Sequence, residues 1–146
     1  MPRPAILALL LPCLAGGAAG LPHDAYVWQR AWNEPVREAV TNHSPRFRSL
    51  VALAAEVTWK NKLPQTARVA LDYESLRASR QPVGLALRIG PAAGPFGSND
   101  AIALTLAALA HSLVAEAASN QLPLAELQLD FDCAESKLDG YRVWVE

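Results

Sequence analysis

The run Leu127-Gln128-Leu129-Asp130-Phe131-Asp132 constrains the fold more than any other stretch. Successive strand residues point to opposite sides, so Leu127, Leu129 and Phe131 form one apolar row and Gln128, Asp130 and Asp132 one polar row. Such a strand packs on one face and carries two carboxylates at its C-terminal end. Parallel βα folds have this design, with chemistry collected at the carboxyl ends of their strands.

The rest of the chain repeats the unit. Apolar runs fall at about 25–31, 50–57, 83–89 and 124–132, and the segments between them have helical character. Asn33 is placed to cap a helix that has Pro35 in its first turn. Residues 72–80 can form two helical turns. A longer helix is expected over 100–119, with Ser98 and Asn99 as caps and Ile102, Leu106, Leu109 and Leu113 as its buried stripe. A fourth is expected from 139 onward. Strand and helix alternating at this spacing point to parallel βαβ units.

Strict alternation puts Val51, Leu53, Ala55 and Val57 in one row of the second strand, against Ala52, Ala54 and Glu56. In the third, Val83, Leu85, Leu87 and Ile89 oppose Gly84, Ala86 and Arg88. The first is less regular, with Tyr26, Trp28 and Arg30 in one row. Sheets covered on both sides are apolar on both faces. Rows that taper into charge fit the interior of a closed barrel. An eight-stranded α/β barrel takes about 250 residues, so four runs correspond to the first four βα units of a (β/α)8 TIM-type barrel, a truncated half-barrel.

Residues 1–20 are expected to be a signal peptide rather than part of this domain: Arg3, an apolar run over 5–14, then Gly16-Gly17-Ala18-Ala19-Gly20 before Leu21. Pro12 fits poorly beside Cys13 as a lipid-modified cysteine. The domain is then 21–146, exported to the periplasm or beyond. Removal of the leader takes away one of 13 basic side chains and none of the 14 acidic ones, so no basic stripe for nucleic acid remains. No second apolar stretch is expected to reach membrane-spanning length. Cys133 is then the one cysteine left, which rules out an internal disulfide.

The segments Leu21-Pro22-His23-Asp24-Ala25-Tyr26-Val27-Trp28-Gln29-Arg30-Ala31-Trp32, Ala54-Ala55-Glu56-Val57 and Leu129-Asp130-Phe131-Asp132-Cys133-Ala134, followed by Leu138 and Tyr141, resemble the secreted bacterial family catalogued as domain of unknown function 3142. The resemblance covers about 21–146 and implies the N-terminal half of a glycoside-hydrolase-like barrel. Chitinase-type barrels are a more distant likeness, with Asp-x-x-Asp-x-Asp-x-Glu on their fourth strand. Asp130 and Asp132 match the second and third acids, but Leu127 and Ala134 stand at the first and last. Glu135 falls one residue late, which reverses its direction along a strand.

The candidate catalytic residues are therefore Asp130, Asp132 and Glu56, and the candidate substrate-binding residues Trp28, Arg30 and Arg88. Acids sharing a face can shift each other's proton affinity. A paired structural network is the plainer role for the same five charges. His23, His43 and His111 lack ligand spacing, so no metal is expected, and no cofactor motif occurs. Cys133 has no histidine to activate it. The glycine-rich loop 90–99 has no phosphate-binding pattern.

The function expected is carbohydrate action or binding by the complete barrel. The alternative is a non-catalytic binding or assembly protein, or an inactive truncated product. Open sheet edges favour self-association or a partner that supplies the second half.

Overall fold

The structure, a computed structural model, describes residues 21–61, 63–94, 96, 97 and 99–145. The expected leader with Cys13 lies outside them, as do Ser98 and Glu146. Five strands form one sheet: β1 (Ala25–Val27), β2 (Leu50–Lys60), β3 (Leu63–Arg68), β4 (Val83–Ile89) and β5 (Leu124–Phe131). The helices are α1 (Glu34–His43), α2 (Tyr73–Ala78), α3 (Ala101–Ser119) and α4 (Leu138–Val145). Strands β1, β2, β4 and β5 run parallel and lie side by side in chain order, while β3 returns antiparallel along the upper half of β2. β1, β4 and β5 each lead into a helix and β2 reaches α2 through β3, so the fold is mixed α/β with a largely parallel sheet.

Local chemistry sets the helix starts. Asn33 Oδ1 accepts from the Val36 amide and Asp72 Oδ1 from the Ser75 amide, each satisfying an amide that the first turn leaves unpaired. Asp100 caps α3 by accepting from Ala103, so the cap lies one residue beyond Asn99. The α3 stripe holds: Leu106 and Leu113 are buried, and Ile102 and Leu109 pack against the core.

Most of the core lies on one side of the sheet. Val83, Leu85, Leu87 and Ile89 of β4 are almost fully buried with Val40 of α1, Leu76 of α2 and Leu106 and Leu113 of α3. Beyond α3, Phe131 meets Tyr141 and Trp144 of α4, at ring-centre distances of 5.0 and 5.7 Å. All four helices thus lie on the face of Leu85, Leu87, Leu129 and Phe131. Among the described residues, the other face carries none.

Three expectations are corrected here. Strand β1 ends at Val27, so Trp28 and Arg30 lie in the segment after it rather than in a strand row. A bulge between Leu53 and Ala55 resets the alternation of β2: Leu50 and Ala52 pair with Val83 and Leu85, and Ala55 and Val57 with Leu87 and Ile89. The extra residue is Ala54, whose carbonyl accepts from the Val69 amide. Val51 and Leu53 therefore share the helix-free face with Glu56, against the single row expected for Val51, Leu53, Ala55 and Val57. Thirdly, α3 does reach membrane-spanning length and hydropathy, with only 17% of its apolar window buried. Alanine and leucine raise its hydropathy, yet Glu116 on the same helix is tied to Arg68 and accepts from the Tyr73 hydroxyl at 3.1 Å. Burial, reinforced by Glu116, pushes the Tyr73 phenol up to about 12.

Strand β3 went unforeseen because Pro64 and a polar sequence hide it. Its signal is the tight turn at Asn61, which adopts the left-handed conformation that asparagine tolerates (φ 51°).

Candidate functional site

The helix-free face is bowed and carries two polar layers over the buried side chains of Val51, Leu53 and Ala86. In its lower layer, the Tyr26 hydroxyl of β1 donates to Gln128 Oε1 of β5 at 2.8 Å. Three inter-strand spacings, about 14 Å along the sheet, separate these strands. Side chains stand roughly perpendicular to a sheet, so their tips meet because the sheet curls toward this face. Gln128 Nε2 donates in turn to Glu126 Oε1 at 2.7 Å. Glu126 lies over Gly84, where a methyl group would come 2.7 Å from its Cγ. Glycine in β4 makes room for this layer. Tyr26 also stacks on Trp28, 5.6 Å between ring centres and nearly parallel.

The upper layer is a row of alternating charge across the C-terminal ends of four parallel strands. Arg30, three residues past β1, engages Glu56 of β2 with two donors, Nε to Oε2 and Nη2 to Oε1, the latter at 2.9 Å. Arg88 of β4 lies 3.7 Å from Glu56 Oε1 and donates to Asp132 Oδ2 at 3.1 Å. The order is plus, minus, plus, minus. The β2 bulge makes this possible, because strict alternation from Val51 would have turned Glu56 into the helix layer. Glu56 has only 9% of its side-chain surface exposed, and two guanidinium groups compensate its buried charge. The hydrogen bond that Arg30 donates to Glu56, and then the carboxylate's charge, raise the Arg30 guanidinium above its ordinary value.

The residues expected in the site sort by contact. Trp28, Arg30, Glu56 and Arg88 line one open groove of about 460 Å³, floored by Leu53. Asp132 joins them through Arg88. Asp130 stands beside Arg88 in strand register. Burial, then the charges of Cys133 and Asp130, raise the Tyr141 phenol. Tyr26, Gln128 and Glu126 were not expected in the site. Their sequence signal was membership of the same polar rows as Trp28 and Asp130. Among the described residues, no three His, Cys, Asp or Glu side chains gather as metal ligands.

Chemically, this edge offers planar, bidentate donors and acceptors beside an aromatic face 41% exposed at Trp28. Comparison with protein-family models, curated proteins and solved structures finds no match.

Proposed function

We propose that the chain forms the first four βα units of a (β/α)8-type barrel, resembling domain of unknown function 3142, and binds carbohydrate at the C-terminal ends of its strands. Parallel strands in chain order and helices on one face support the barrel reading, since doubly wound sheets reverse strand order and carry helices on both faces. One observation carries the ligand class: half-exposed Trp28 shares a groove with Arg30, Glu56 and Arg88. Sugar rings present an apolar C–H face to an aromatic plane, and hydroxyls that suit bidentate carboxylate and guanidinium partners.

Binding is favoured over turnover. Glycoside cleavage places one carboxyl on each side of the bond, about 5–9.5 Å apart. Here Glu56 and Asp132 share Arg88 as a common cation. Calorimetric titration of the purified full chain with cello-, chito- and malto-oligosaccharides tests the reading. At least one series binds, and Trp28→Ala weakens it by about tenfold or more without altering the circular dichroism spectrum. Failure of all three series, or undiminished binding by Trp28→Ala, rejects the assignment.

A further inference from the structure

The groove that holds Trp28 presents charge of one sign. Its charged lining is Arg30, Glu56 and Arg88, two cations and one anion. Their exposure is unequal: 9% of the Glu56 side chain meets solvent, against 45% for Arg88 and 73% for Arg30. Both Glu56 oxygens already accept from Arg30, and Arg88 Nη1 lies 3.7 Å from Oε1. A ligand entering the groove therefore meets guanidinium first and carboxylate hardly at all. The whole chain carries a formal charge of −1, so this positive surface is a local feature.

The spare donors have a definite geometry. A guanidinium group carries five N–H donors in one plane. Arg30 uses one on Nε and one on Nη2 for Glu56, and among the described residues its Nη1 has no partner. Two parallel donors, one from Nη1 and one from Nη2, are left along its outer edge. Arg88 is more committed, because its Nη2 donates to Asp132 at 3.1 Å. Asp132, and Asp130 beside Arg88 in strand register, make the β5 end of the row negative. An anion is thus drawn toward Arg30 and repelled from β5.

The amount and shape of the charge narrow the anion further. Two cations and one anion leave a single positive charge, which one singly charged group balances. A phosphate monoester, near −2, leaves a negative charge unmatched. A sulfate ester carries one charge but is tetrahedral, whereas a carboxylate lies flat and accepts two parallel N–H donors in its own plane. Trp28 supplies the apolar contact beside this edge. Tyr26 stacks on the indole and is itself held by its bond to Gln128, so the aromatic plane is fixed before a ligand arrives.

We propose that the groove selects acidic sugars, taking a uronic acid residue with its ring on Trp28 and its carboxylate on the outer edge of Arg30. The proposal rests on the carbohydrate reading above and names the sugar class for the same groove.

Calorimetric titration of the purified full chain compares the same oligosaccharide series in two forms, neutral and oxidised at C6 to the uronate. In at least one series the oxidised form binds about tenfold tighter or more, and added salt narrows the gap. Arg30→Gln brings the ratio of the two affinities close to one, while Arg77→Gln, on the exposed side of α2, keeps it. Neutral chains that bind as tightly as oxidised ones overturn the proposal and leave the sugar reading standing. If neither form of any series binds, the sugar reading fails and the proposal with it. A 6-sulfated chain that gains as much as the uronate rejects the carboxylate. If Arg30→Gln alters the circular dichroism spectrum, the wild-type ratio decides, and a ratio that salt does not move rejects recognition by guanidinium.

Discussion

Strands β4 and β5 are neighbours with nearly the same pattern, and they meet different fates. Leu85, Leu87 and Ile89 pair in register with Leu127, Leu129 and Phe131, while Gly84, Ala86 and Arg88 pair with Glu126, Gln128 and Asp130. The β4 aliphatic row is completely buried, but its β5 counterpart is only partly so. Composition does not explain the contrast. Position does: among the described residues, β4 has a strand on each side and β5 has one.

The largest expected effect lies in the middle of the sheet. Leu87→Ala empties a fully enclosed site and costs about 2–5 kcal/mol, read from the urea midpoint. Leu129→Ala one strand over costs on the order of 1–2 kcal/mol, since part of that side chain is already in water. Equal losses would erase the distinction between the strands. Next comes the charge row. Glu56→Gln leaves two guanidinium groups without their shared anion, at a cost of about 1–2 kcal/mol. The exposure of Arg30 and Arg88 keeps that figure below the one for an enclosed pair. An unchanged urea midpoint would mean that Glu56 does not anchor the row.

Much of this was legible in the residues. Alternation located β4 and β5, and the apolar spacing of Leu106 and Leu113 located α3. The small-to-charged row Gly84-Ala86-Arg88 foretold a polar face. Three features were hidden for physical reasons. The β2 bulge left no mark because Leu53, Ala54 and Ala55 are all apolar, so either parity reads equally well. Strand β3 owes its pairing to a tight turn and to the β2 edge rather than to its own propensity. The lower layer of Tyr26, Gln128 and Glu126 depends on sheet curvature, which brings together residues about a hundred positions apart. The charge row, by contrast, could be anticipated in composition but not in order.

Amide hydrogen exchange, followed strand by strand over a range of protein concentrations, tests the central contrast most directly. The account predicts that β4 amides are strongly protected throughout. Those of β5, whose aliphatic row is only partly buried, exchange faster. Equal protection of β4 and β5 would contradict it.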